Sequence, residues 1–234
     1  MSRLIAFIAL MFACSLALPQ SFIPPNAYVL RPMVIKEVDS IFPDIPNRHY
    51  VPALIEHESC ITLRHKRCWS PTSKLKTYRE EGAGVGQVTR AYNKDGSIRF
   101  DALTDLRTRH RRYLAELTWD NVYQRPDLQI RALTLMVRDN YKSLYDVDEP
   151  MQRLAMADAG YNGGMGGLQK ERRQCNLVKG CNPDFWFGNV ERFCMKSKKV
   201  LYGNRSPCDI NRHHVSDVLT VRLPKYERLG FMNH

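Results

Sequence analysis

Residues 51–59, Val51-Pro52-Ala53-Leu54-Ile55-Glu56-His57-Glu58-Ser59, decide how this chain is read. Proline is tolerated in the first turn of a helix, where the N–H it lacks would have had no partner. Val51-Pro52 therefore marks a helix start, Ala53-Leu54-Ile55 carries it forward, and Glu58 falls near its C-terminus. A carboxyl there meets the negative end of the helix dipole, which together with desolvation favours its protonated form. Glu56, two positions earlier, points elsewhere on a helix, so its change to Gln is expected to be nearly silent.

Working outward, segments 101–120, 127–145 and 150–161 read as helices. Pro126-Asp127 and Pro150 open two of them, and Leu128, Leu133, Met136, Val137 and Tyr141 give an apolar stripe. Val34, Ile35, Val38 and Ile41 have a short helical spacing, whereas the Pro-interrupted residues 20–34 read as extended. Strand signals are sparse: Gly82 to Val88 and a turn at Asp95-Gly96 predict a short hairpin or irregular lobe. Beyond 170, Asn-Pro and Gly-Asn turns separate cysteines, and a helix is expected near 184–194. Phe185, Trp186, Phe187 and Phe193 need burial, so this stretch is expected to pack on the rest as an extension. The expected class is mainly α, an α+β fold with a small irregular or β lobe, and 234 residues suit one elaborated domain.

The N-terminus reads as an export signal over 1–17: Ser2-Arg3 is positive, Leu4 to Leu16 is apolar, and Ser15-Leu16-Ala17 supplies small residues for cleavage. An uncleaved weak anchor is the rival, since the run falls short of the roughly 20 residues a bilayer span needs. Apart from Cys14, the cysteines are Cys60, Cys68, Cys175, Cys181, Cys194 and Cys208, an even set suited to disulfides in an oxidising periplasm or cell envelope. Six cysteines allow fifteen pairings, and bridging Cys60 to Cys68 would staple the loop after Glu58. His57 and His65 near Cys60 and Cys68 lack zinc-site spacing, and no metal or cofactor is called for.

The formal net charge of +11 points to an anionic partner. Basic residues concentrate at Arg107 to Arg112, at Lys170 to Arg173 and at Lys196 to Lys199. Export argues against nucleic acid and for an envelope polyanion or a carboxylate-bearing wall.

Two further motifs follow Glu58-Ser59 in order: Gly84-Val85-Gly86-Gln87 and Ala159-Gly160-Tyr161-Asn162-Gly163-Gly164. With them the chain resembles the soluble lytic transglycosylases and goose-type lysozymes, which cut peptidoglycan glycan strands, over about Leu54 to Gly167. In that family a catalytic Glu before Ser ends a helix, a Gly-Leu-Met-Gln turn lines the groove, and Ala-Tyr-Asn-x-Gly follows. Here Gly86 replaces Met and Gly160 is inserted before the aromatic. The resemblance implies a lysozyme-like domain over 50–168, with 18–49 and 169–234 as extensions, acting as a monomer on glycan strands. It assigns Glu58 as general acid and base, with Ser59, Gln87, Tyr161 and Asn162 contacting substrate. Tyr161 is expected to orient Glu58 or to offer the sugar a face, and Ser59 to meet the cleft or cap backbone. A hydrolytic lysozyme is the alternative, with Asp95 or Asp101 as its second carboxylate. A non-catalytic wall-binding protein is another.

Overall fold

The computed structural model describes residues 22–200 and 203–233. The expected signal segment and Cys14 lie outside them. The order of helices and strands is that of a mainly helical α+β fold carrying one four-stranded antiparallel sheet.

Helix α1, Pro25–Ile41, begins with proline in its first turn and continues through Pro32, so residues 25–34 are helical rather than extended. Proline inside a helix frees the carbonyl four residues back. Here both Pro32 and Tyr28 face solvent, where water can take up that carbonyl. The opposite face buries Ala27, Leu30, Val34 and Val38. Buried Glu37 on that face receives two bonds from Arg131, at 2.7 and 2.9 Å, and pins α1 to α5, Pro126–Lys142. Helix α2, Tyr50–Ser59, ends where Cys60 turns extended and is bridged to Cys68.

The sheet is a meander of β1 Lys74–Lys76, β2 Glu80–Ala83, β3 Val88–Tyr92 and β4 Ile98–Asp101. Gly84 to Gln87 form the loop joining β2 to β3, and Asp95-Gly96 turns β3 into β4. Ala83, Val88 and Ala91 are buried in the sheet. Ala83 and Val88 share a core with Leu103 and Leu106 of α3, Ala102–Arg109. A single helical turn, α4 Arg111–Leu114, follows.

Helix α5 is buried on two sides and joins two cores. Ile130, Leu133 and Val137 enter the main core, while Leu128, Ala132 and Leu135 enter the one beneath the sheet. Helix α6, Pro150–Gly163, starts with Glu149 accepting from the Met151 and Gln152 amides and ends at Gly164, whose φ of +81° suits glycine. Its Ala155, Ala157, Ala159 and Gly160 keep it thin enough to pass between α5, α7 (Met165–Asn176) and α8 (Pro207–Ser216).

Residues 184–194 hold one 3-10 turn, Val190–Arg192, in place of the expected helix, with Trp186 buried. The main core runs from Ile23 to Met232 and so includes residues on both sides of position 168. Disulfides Cys60–Cys68, Cys175–Cys181 and Cys194–Cys208 each close a short loop, fitting an oxidising extracellular or periplasmic setting. Among the described residues no helix is long and apolar enough to cross a membrane.

Candidate functional site

Glu58 sits in the last turn of α2 and lines a cleft of about 980 Å³ with Gln87, Phe100, Met136, Tyr161, Asn162 and Lys196. The three sequence motifs therefore converge on one groove. Its wall from the sheet is set by the Gly84–Gln87 loop, which the buried side chain of Gln129 holds from below. Gln129 Oε1 accepts from the Val85 amide at 3.0 Å, and Nε2 donates to the carbonyls of Pro71 and Val122. Gly84 has φ +73°, and a Cβ there would fall 2.2 Å from Gln129 Oε1, so both backbone and space demand glycine. Gln87 also lies in the left-handed region, at φ +44°, and its amide donates to Gly84 O at 2.8 Å. Backbone strain of this kind is held by its surroundings, here directly against the cleft.

The principal feature lies behind Glu58. His214, on α8, is buried with Nε2 2.8 Å from Glu58 Oε1 and Nδ1 2.8 Å from Asp158 Oδ2 on α6. Asp158 is itself buried, and its other oxygen accepts from Tyr50 at 2.6 Å. Two carboxylates can each accept from one imidazole only when both ring nitrogens carry protons. Burial alone would discharge His214, but Asp158 and then Glu58 outweigh it and push its pKa up to about 10. The site thus holds an imidazolium between two acids. Its positive charge opposes the negative potential of the helix end at Glu58, an effect absent from the sequence expectation. Burial, reinforced by Asp158, keeps Tyr50 a neutral phenol.

Local sequence explains how α8 is aimed. Ser206 and Asp209 form a reciprocal cap, Pro207 occupies the first turn, and His214 follows on the buried face with Asn211 and Val215. A π-helical turn, Asp217–Arg222, then leads into α9, Leu223–Arg228, and both pack on α2. This wider turn sets Asp217 against His57 at 2.6 Å. His57 in turn meets the His214 ring edge-on at 4.3 Å. Burial works against the charge on Asp217, yet His57 and Arg222 hold its carboxyl far below the ordinary range.

Several sequence expectations change. Of the two roles expected of Ser59, it takes the backbone one and not the cleft: it is buried, donating to Ile55 O at 2.7 Å and accepting from the Trp69 amide at 2.9 Å. A hydroxyl at a helix end can replace a missing backbone partner, and here it ties α2 to the loop after it. Tyr161 donates to Gly86 O at 2.6 Å rather than to Glu58, joining the third motif to the second, and its ring stacks on His214. Asn162 is exposed at the rim and accepts from Asn211 at 3.0 Å.

Glu56 is no surface acid. It is buried and accepts from Arg222 at 2.7 Å, Tyr226 at 2.6 Å and Lys225 at 2.5 Å. Asp95 is spent on the Ser97 turn. Asp101 caps α3 and takes bonds from Arg90 and Trp119, and these donors, overriding burial, hold its carboxyl below the usual range. Neither lines the cleft. Glu80 and Asp105 do, and Asp105 is paired with Arg109. The basic clusters are partly neutralised, since Arg109 also meets Asp139 and Arg172 is bound by Asp146 and Asp184.

His214 and Asp158 were missing from the sequence reading. Asp158 had a signal, an acid within the apolar run Leu154 to Gly160 and one turn before Tyr161. His214 had none, lying 156 residues from its partner Glu58. No protein-family model matches the chain, and neither the curated proteins nor the solved structures contain a significant match.

Proposed function

We propose that the protein is an exported peptidoglycan lytic transglycosylase with Glu58 as its acid and base. The observation that carries this reading is a cleft-lining carboxyl with one oxygen anchored by a buried imidazolium and the other without a protein partner among the described residues. A general acid must be held by its scaffold yet present one oxygen to the substrate. In the proposed step, protonated Glu58 donates to the oxygen linking N-acetylmuramic acid to N-acetylglucosamine, and the bond to the muramyl anomeric carbon breaks. The muramyl acetamido oxygen stabilises that carbon, and the 6-hydroxyl then closes on it while Glu58 takes its proton. No water is consumed and a 1,6-anhydromuramyl end results.

His214 assists by stabilising the carboxylate as it forms, because its charge is already in place and needs no reorganisation. Gln87 and Asn162 supply amides at the cleft for acetamido or hydroxyl groups. Tyr161 fixes the turn and the imidazole plane. Hydrolysis is the second reading, favoured by Glu80, which lines the cleft and has no ion-pair partner among the described residues. The products from purified cell wall decide: anhydromuramyl ends support transglycosylation, reducing ends support hydrolysis through a base such as Glu80, and intact wall refutes both.

A further inference from the structure

Lys196 is a cation of the cleft with no ion-pair partner among the described residues. It lies on the loop closed by the Cys194–Cys208 bridge and lines the cleft beside the Tyr161-Asn162-Gly163 segment. Its ammonium donates to Gly163 O at 3.1 Å, and no carboxylate stands within ion-pair distance of it among the described residues. The acid that acts on it most strongly, Glu171, is taken by Arg212 at 2.9 Å and by the Met195 amide at 3.0 Å. Of the other cations of the cleft, Arg109 already holds two aspartates and Arg99 stands exposed on the sheet, so Lys196 is the one partly withdrawn from water without an acid beside it among the described residues.

The approach of Lys196 is built into the chain. A Cβ on Gly163 would lie 2.2 Å from both Cε and Nζ of Lys196, so this glycine leaves the space that the lysine fills. An ammonium has three donors, and one carbonyl uses one of them. Burial lowers the pKa of Lys196, which is the cost of a charge half removed from water. A carboxylate supplied by the ligand would restore what that charge has lost.

We infer that Lys196 binds a carboxylate of the substrate and so selects acidic muramyl strands over neutral polymers of N-acetylglucosamine. The inference rests on the reading of the Glu58 cleft as a glycan site. Two sources offer this chemistry: the free lactyl carboxylate of peptide-free strands, and the carboxylates of stem peptides where the lactyl group is amidated.

Binding to the full chain carrying Glu58→Gln tests it, with three probes: a chitin oligomer, peptide-free glycan strands, and strands keeping their stem peptides. Peptide-free or peptide-bearing strands are expected to bind at least about tenfold more tightly than chitin, as one charge-assisted bond permits. Adding Lys196→Met should remove that margin and leave chitin binding within about twofold. Lys198→Met, an exposed charge on the same loop, should keep the margin and so exclude a general field effect. A margin confined to peptide-free strands assigns the lactyl group, and one confined to peptide-bearing strands assigns the stem. A margin untouched by Lys196→Met overturns the inference, as does equal binding of all three probes. If the unmodified chain still solubilises wall in either case, the glycan-cleft reading survives. Failure to bind any probe together with failure to solubilise wall removes both.

Discussion

Replacing His214 by Gln tests the buried charge relay by energetics alone. The substitution removes the cation between Asp158 and Glu58 and leaves Asp158, fully buried, with Tyr50 at 2.6 Å as its remaining native side-chain donor among the described residues. Stranding one member of a buried ion pair costs about 3–5 kcal/mol. Raising an imidazole from 6.5 to about 10 corresponds, at about 1.4 kcal/mol per pH unit, to an upper bound of roughly 5 kcal/mol. Because the folded value lies above the unfolded one, this stabilisation is fully present below pH 6.5 and is lost as pH rises through about 10. Urea unfolding of parent and variant across this range should show a gap of about 3–5 kcal/mol near pH 6 that narrows steadily up to pH 10. Adding Asp158→Asn should recover much of the loss, since both buried charges are then gone. A gap below about 1 kcal/mol, or one independent of pH, would refute the imidazolium.

Glu56→Gln should cost about 2–4 kcal/mol in the same assay, because Arg222, Lys225 and Tyr226 lose their shared carboxylate and one of its two accepting oxygens becomes a donor; an unchanged midpoint would contradict its structural role. For Gly84→Ala, the clash with Gln129 at a positive φ predicts about 1–3 kcal/mol of destabilisation and a loss of wall-degrading activity in protein that is still folded; normal activity would separate the loop from the site. Unfolded protein from an oxidising compartment should release no thiol from Cys60, Cys68, Cys175, Cys181, Cys194 or Cys208, and reduction should lower its melting temperature; two or more free thiols would break the assigned pairing.

What the sequence disclosed were the features written locally. Proline in the first turn announced α2, α5 and α6 because the missing N–H costs nothing there. The Gly84–Gln87 loop was legible for a similar reason, since glycine at a left-handed position is a constraint on a single residue. Pro32 misled because its cost depends on whether the freed carbonyl faces water, which is a tertiary fact. Glu56 misled likewise: helix periodicity gave its direction, but the partners on the π-helical turn and α9 that bury it come 166 to 170 residues later. His214 is the furthest case. Its role is fixed by the cap at Ser206, the π-helical turn after Ser216 and the thin α6 beside it, and none of these mentions Glu58. The residues from 169 onward were read as an extension packed on the domain, yet they contribute the imidazolium to the site.

The most direct test of Glu58 as the acid is a comparison of purified cell wall digested by the parent chain and by Glu58→Gln, with fragments identified by mass spectrometry. The amide keeps the size and the hydrogen bond to His214 but cannot deliver a proton. The parent should release fragments ending in 1,6-anhydromuramic acid, and the folded variant should fall by about 10² to 10⁴ in rate while still binding glycan. Near-parental release of anhydro ends by Glu58→Gln, or a parent that releases no fragments at all, would contradict the assignment.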